Sequence, residues 1–140
     1  MALWLCKQEP DCYGLADLER DGSTTWDGVA NPVARKNLRQ MKPGDRVLFY
    51  HTGKEKSVVG EMEVAADPTT PEGDEKAVVV EMKFIRRLEH PVTLAEIKAD
   101  KSLETWDLVR LSRLSVMGVS EQQWKRVMQL SKDKAVAKKK

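Results

Sequence analysis

The sequence predicts an α+β fold in which a mixed β-sheet curls into a partial barrel and short helices pack on its outside. Strand-like apolar segments alternate with short helical segments, without the long regular helices of a doubly wound fold. One segment, Val47–Tyr50, is apolar on both faces, as a central strand requires. There are no internal repeats and no interior linker, so all 140 residues fit one domain with a short tail.

The first elements are a strand and a helix separated by a break. Ala2–Lys7 is apolar around Trp4 and predicts the first strand, which the Glu9-Pro10-Asp11 stretch ends. Gly14–Arg20 predicts a short helix, and Ser23–Ala30 predicts a loop that carries Trp26.

A second helix is predicted to start at Asn31-Pro32, because Asn is a good N-cap and Pro suits the first helical position. Val33, Leu38 and Met41 are the apolar positions that we expect on its buried face.

The next strands are predicted on either side of a loop. Val58–Ala65 alternates, which predicts a strand with Glu61 and Glu63 on a solvent face. Asp67–Lys76 is polar and predicts a loop, and Ala77–Leu88 predicts a long strand.

Capping boxes predict two helix starts in the C-terminal half, at Thr93 and at Ser120. Between them, Leu103–Leu111 predicts irregular structure or a short helix, and Leu114–Val119 predicts the last strand. The final helix would bury Trp124 on its inner face.

Charge is uneven along the chain. The net charge is +2, but 132–140 holds five lysines and one aspartate, which leaves −2 for the rest. We therefore expect a domain over 1–131 and a Lys-rich, disordered tail over 132–140. A negative net charge on the domain does not favour general binding of polyanions.

Several classes of protein are disfavoured by what the sequence lacks. No apolar run is long enough to cross a bilayer, and the charged N-terminus is unlike a signal peptide. Cys6 and Cys12 match no metal-ligand spacing and are too few for a disulfide framework, which favours reduced thiols in the cytoplasm. His51 and His90 lie in different predicted loops, and no complete catalytic set is visible.

Binding is the remaining possibility. Trp26, in a polar loop, either packs on the core or faces a ligand, and the residue pattern leaves both open. Tyr50 and His51 end the central strand, where sites tend to form, although Tyr50 also fits the core. Lys7 and Gln8 end the first strand in the same way.

Four segments together resemble the EVE domain family, in its order and spacing. They are Trp4-Leu5-Cys6-Lys7-Gln8-Glu9-Pro10-Asp11, Thr25-Trp26-Asp27-Gly28-Val29-Ala30-Asn31, Lys42-Pro43-Gly44-Asp45-Arg46-Val47-Leu48-Phe49-Tyr50-His51 and Arg113-Leu114-Ser115-Val116. The resemblance extends to about Leu130 and implies a PUA-like fold related to the YTH readers of methylated adenine. It also implies a binding module, without cofactor or metal, that accepts one modified nucleobase flipped from DNA or RNA.

What the resemblance implies for individual residues centres on Trp26, which would stack on the base. The other expected pocket residues are Lys7, Gln8, Asn31, Tyr50, His51, Leu114 and Ser115. The expected contacts to the phosphate backbone are Arg35, Lys36, Arg39 and Arg113. The family often has Ser at the position of Gln8, and many relatives have Trp at the position of Ala77, so edge contacts and a second wall would differ here.

Three alternatives stay open. The chain could bind a free nucleobase or another small molecule, it could process nucleotides as an enzyme, or its aromatic residues could meet another protein. Salt dependence separates the first from polymer binding, since phosphate contacts weaken steeply with salt.

Overall fold

Six strands form one mixed sheet that curls into a half-barrel. The computed structural model describes the backbone of residues 1–139 and the side chains of residues 1–133. The strands are β1 (Leu3–Gln8), β2 (Ser23–Trp26), β3 (Arg46–His51), β4 (Ser57–Val64), β5 (Val80–Thr93) and β6 (Val116–Gly118). The sheet order is β2-β5-β4-β3-β1-β6, with β1 and β3 parallel and the other neighbours antiparallel.

Within the described backbone, six α-helices accompany the sheet. They are α1 (Pro10–Tyr13), α2 (Leu15–Asp21), α3 (Pro32–Arg39), α4 (Leu94–Lys98), α5 (Asp107–Arg110) and α6 (Glu121–Lys139), with a 3₁₀ turn at Lys101–Leu103. Five of them are eight residues long or shorter, so the predicted α+β half-barrel with short helices is confirmed. Within residues 1–139 no helix combines the length and the apolarity that crossing a membrane requires.

The core lies inside the curl of the sheet. Val47, Leu48 and Phe49 of β3 are fully buried, which confirms the predicted central strand. Trp4 and Trp106 are buried as well, and each indole NH donates a hydrogen bond, to the Asp45 carboxylate at 3.0 Å and to the Gly118 carbonyl at 3.3 Å.

The predicted caps are present. The Asn31 side chain accepts hydrogen bonds from the backbone of Val33 and Ala34 at the start of α3. Thr93 and Ser120 each take part in the predicted capping box. These boundaries follow from local hydrogen bonding, which is why the sequence predicts them.

The loop predicted over Ser23–Ala30 is wrong in its first half, where β2 pairs with β5 from Ser23 to Trp26. Its Ser-Thr-Thr-Trp sequence suits a strand, but the partner lies more than 50 residues away, at Val80–Lys83.

The solvent face predicted for β4 is wrong at Glu61, which is only 3% exposed. Its carboxylate oxygens pair with Arg46 at 2.7 Å and Arg86 at 2.9 Å. Both guanidinium groups come from neighbouring strands, so charge pairing on the sheet allows this burial.

Two further differences concern helices. Val33, predicted on the buried face of α3, is 53% exposed because it lies in the first turn, beside a surface cleft described below. Helix α6 continues to Lys139, whereas a disordered tail was predicted over 132–140, since Lys and Ala are good helix formers. Lys140 lies outside the described residues, and the behaviour of this segment in solution stays a prediction.

Candidate nucleic-acid interface

Lys7 lies at the centre of the predicted site, where β1 and β3 end side by side. Its ammonium nitrogen donates to the Ser112 carbonyl at 3.0 Å and lies 5.6 Å from the centre of the Tyr50 ring. Its backbone NH donates to the Ser115 carbonyl at 2.8 Å. Lys7, Tyr50 and Ser115, three of the predicted site residues, therefore lie close together, and their contact with a ligand stays a prediction.

Burial alters the acid–base properties of this pair. Desolvation lowers the pKa of Lys7 and raises the pKa of Tyr50 to about 12. The Tyr50 hydroxyl therefore keeps its proton at neutral pH and acts as a hydrogen-bond donor. Within the described side chains, nothing accepts a hydrogen bond from it.

Trp26 lies in the interior of the half-barrel, with 3% of its surface exposed. Its ring meets Phe49 edge-on, with centroids 5.4 Å apart, and Phe49 meets His51 in the same way at 5.5 Å. Strands β5 and β4 separate β2 from β3 in the sheet, so only the curl brings these rings together. The indole NH of Trp26 has no acceptor among the residues whose side chains are described. Its contact with a ligand stays a prediction.

His51 has a structural task that the sequence did not reveal. Its Nε2 accepts a hydrogen bond from the Leu15 backbone NH at 3.0 Å, and its Nδ1 lies 2.8 Å from the Glu55 carboxylate. Because the backbone NH can only donate, Nδ1 carries the proton and donates to Glu55. The ring therefore anchors the start of α2, and a place on the rim of a pocket stays a prediction.

The two amide side chains predicted at the base edge have their oxygens in use. The Gln8 oxygen accepts from the Glu9 backbone NH at 3.0 Å, and the Asn31 oxygen caps α3 at 2.9 and 3.0 Å. Each side chain is thus oriented so that its NH₂ group remains to donate.

A cleft of 390 Å³ opens between the start of α3 and the turn that follows α5. Its lining contains two predicted site residues, Asn31 and Leu114, and one predicted phosphate contact. The lining residues are Asn31, Val33, Arg110, Leu111, Ser112, Arg113 and Leu114.

The predicted phosphate-binding side chains do not form one group. Arg35 donates to the Val29 carbonyl at 2.7 Å and Arg39 to the Lys76 carbonyl at 2.8 Å, so both hold loops. Lys36 is exposed on α3, and Arg113 lies in the cleft.

Sequence reasoning missed five residues of this region: Phe49, Val33, Arg110, Leu111 and Ser112. Phe49 and Val33 looked like ordinary core positions, and Arg110 and Leu111 fell in a segment without clear periodicity. The segment Arg110-Leu111-Ser112-Arg113-Leu114 combines basic and apolar residues, which is a weak indication of a binding surface.

The thiol of Cys6 lies in the core of the domain. Cys6 is fully buried, and burial raises the pKa of its thiol well above its usual range. Across the described residues no group of three or more His, Cys, Asp or Glu side chains could hold a metal ion.

Residues 2–130 match the EVE domain family. The chain belongs to this family. The matched segment ends one residue before the predicted domain boundary at 131 and covers every predicted site residue.

Relatives from distant organisms share the sequence and the fold. Human thymocyte nuclear protein 1 is 29% identical over 91% of this chain and 72% of its own length. A crystal structure of a protein from Agrobacterium tumefaciens is 34% identical, with a TM-score of 0.90 over 94% of this chain and 93% of the other. The crystal structure of human THYN1 in complex with DNA containing 5-methylcytosine is 28% identical, with a TM-score of 0.85 over 94% of this chain and 98% of the other.

Proposed function

We propose that this EVE domain is a non-catalytic module that binds one modified nucleobase, flipped out of a DNA or RNA strand, and that a methylated cytosine is the first base to test. The observation that carries the proposal is the similarity, over nearly the whole of both chains, to human THYN1 in complex with DNA containing 5-methylcytosine.

The hydrogen-bonding groups of the site support a cytosine. Trp26 offers its indole NH and Tyr50 its hydroxyl as donors, and neither has a hydrogen-bond partner among the described side chains. The free NH₂ groups of Gln8 and Asn31 add donors rather than acceptors. A cytosine presents two adjacent acceptors, O2 and N3, on its pairing edge, which matches a site rich in donors.

Different interactions are expected to supply the affinity for a base and the selectivity among bases. Flipping a base costs a few kcal/mol, and stacking on an aromatic side chain returns about 1–3 kcal/mol. A buried methyl group adds about 0.8 kcal/mol, which is roughly a fourfold preference. Stronger selectivity must come from edge contacts that the wrong base leaves unpaired, and we assign these to Gln8 and Asn31.

Stacking on Trp26 requires a local opening, because so little of its ring is exposed. The segment that follows it, residues 27–30, has no regular secondary structure and contains Gly28 with a positive φ of 71°. We propose that this segment moves when a base enters, as loops often do on binding.

Two observations favour a module without catalytic activity. Both ring nitrogens of His51 are engaged in hydrogen bonds, so the ring is not free to move a substrate proton. The thiol of Cys6 is buried in the core and protonated, so it does not act as a nucleophile.

The first test compares two matched tryptophan variants on short single strands that carry methylated, hydroxymethylated or plain cytosine or adenine. Trp26→Phe keeps a ring in the core but removes the indole NH and part of the stacking surface. We expect the affinity for the preferred modified strand to fall about tenfold, in line with a loss of roughly 1–2 kcal/mol of stacking and hydrogen bonding.

Trp106→Phe is the control, because Trp106 is equally buried and lies outside the predicted site. It should lower stability without changing the preference among bases. Equal losses of affinity in both variants would show that Trp26 acts only through the fold. If the folded protein binds none of the strands, the proposed function is wrong, and titration with free nucleobases becomes the next experiment.

A further inference from the structure

The cleft beside α3 exposes apolar side chains that the fold does not bury. Val33 is 53% exposed and Leu111 is 45% exposed, and among the described residues Met1 is the one other large apolar side chain exposed to at least this extent. Both side chains line the same cleft, so an occupant of the cleft would cover them.

The charge of the cleft is positive. Arg110 and Arg113 line it, and its described lining contains no acidic side chain. The pairing of Arg110 with Asp107 is long, at 4.0 Å between two exposed groups, so it neutralises little of the charge. Within residues 1–133, Arg113 has no ion pair or side-chain hydrogen bond.

Both walls of the cleft are held in place. Asn37 of α3 donates from its side chain to the Val116 carbonyl of β6 at 2.7 Å. On the other wall, the turn from Leu111 to Leu114 is closed by a backbone hydrogen bond of 3.0 Å, and Lys7 holds Ser112. The cleft is therefore pre-organised, which limits the entropic cost of binding.

We propose that this cleft holds the nucleotide next to the flipped base, with its phosphodiester between Arg110 and Arg113 and its sugar and base against Val33 and Leu111. This deepens the proposed function and rests on it. Asn31 and Leu114 line the cleft and belong to the predicted base pocket, so the two subsites adjoin. The occupant is a strand rather than a free base, because paired guanidinium groups match a phosphodiester and a free base carries no phosphate.

The volume agrees with this occupant. A space of 390 Å³ falls within the range of about 300–1,000 Å³ that is usual for small-ligand sites. Apolar contact with a sugar and with the face of a base does not distinguish one base sequence from another, so the subsite should strengthen binding to any strand.

The test measures the affinity of five-nucleotide single strands, with 5-methylcytosine or cytosine at the centre, at four salt concentrations. Neutralising both cations with Arg110→Gln and Arg113→Gln together should reduce the slope of log affinity against log salt by about 0.7, since the two side chains share one phosphodiester and each phosphate contact in a single strand contributes about 0.7. Affinity should fall by the same factor for both strands, so the preference for the modified base is unchanged.

Three controls separate a specific contact from general effects. The Arg110→Lys and Arg113→Lys pair keeps the charge and should keep the slope. Arg20→Gln removes an exposed cation on α2, outside the cleft, and should leave the slope unchanged. Binding of the nucleoside 5-methyl-2′-deoxycytidine, which has no phosphate, should be the same in the unchanged protein and in the double Gln variant.

The outcomes distinguish the two proposals. An unchanged slope in the double Gln variant, with the preference for 5-methylcytosine retained, overturns the assignment of the cleft and leaves the proposed function intact. An equal change in Arg20→Gln also overturns it, because net charge would then explain the effect. If the unchanged protein, shown to be folded by circular dichroism, binds no strand, both proposals are wrong.

Discussion

Gly60 is the glycine at which an added side chain would find the least room. An added Cβ would lie 2.6 and 2.7 Å from the two methyl carbons of Leu15 and 2.9 Å from the Arg86 carbonyl oxygen. The Arg86 carbonyl oxygen cannot move away without disturbing the pairing of β4 with β5. Helix α2 therefore approaches the sheet at a position where no side chain fits.

We expect Gly60→Ala to lower the free energy of unfolding by about 1–3 kcal/mol, the usual cost of overpacking. Urea unfolding measures this change. Gly118→Ala is the matched control, since a Cβ at Gly118 would meet nothing within 4 Å and that glycine has no positive φ. Equal stability of the two variants would show that Leu15 moves aside at little cost.

At the scale of elements, Asp45 joins the start of the chain to the turn before β3. Its carboxylate accepts hydrogen bonds of 3.0 Å from the Trp4 indole and from the backbone of Lys42 and Ala2. Burial alone raises the pKa of Asp45, but these hydrogen bonds outweigh burial and hold the pKa below its usual range. One side chain thus holds β1 against β3 at the end of their parallel pairing.

A depressed pKa gives this carboxylate a defined dependence on pH. Its stabilising effect is complete above the ordinary Asp pKa of about 3.9 and is lost as pH falls through the lower, folded-state pKa. We expect Asp45→Asn to cost about 1–3 kcal/mol at pH 7 and progressively less below pH 4.

Urea unfolding at pH 7, 5 and 3 tests this, with Asp27→Asn as an exposed control whose effect should stay within about 0.5 kcal/mol. A cost for Asp45→Asn that is the same at pH 3 as at pH 7 would contradict a stabilising negative charge.

At the scale of the whole molecule, the contacts of Ser131 that attach α6 to the sheet lie before the lysines that make the net charge positive. Ser131 exchanges hydrogen bonds with the backbone of His90 at 2.9 and 2.7 Å, which attaches α6 to β5. The four lysines within 134–140 follow this attachment, and without them the net charge changes from +2 to −2.

We expect truncation after Asp133 to leave the unfolding temperature unchanged, because the Ser131 attachment is retained. The truncated protein should bind unmodified strands more weakly at low salt, because four cations are lost and the net charge becomes negative. Its preference for a modified strand over a plain one should not change, since that preference comes from the base pocket. Calorimetry and the strand panel measure both effects, and a lower unfolding temperature would mean that the last residues pack on the domain.

Features that depend on residues close in sequence could be predicted, whereas features that depend on distant segments could not. The N-cap at Asn31, the capping boxes and the doubly apolar β3 depend on neighbours in sequence, so the sequence alone predicts them. The burial of Glu61 and the strand at Ser23–Trp26 depend on partners from distant segments, so the local pattern was misleading at both places.

The candidate site shows the same division. Segment order and strand alternation can be read along the chain, so the family, the fold class and the residue types at the site were predictable without a structure. The contact of Trp26 with Phe49, and the cleft that Arg110 and Leu111 share with Asn31, form only in the folded domain. These contacts depend on how far the sheet curls and on where helices meet it, and such geometry is fixed by the packing of the whole core rather than by any local stretch of sequence.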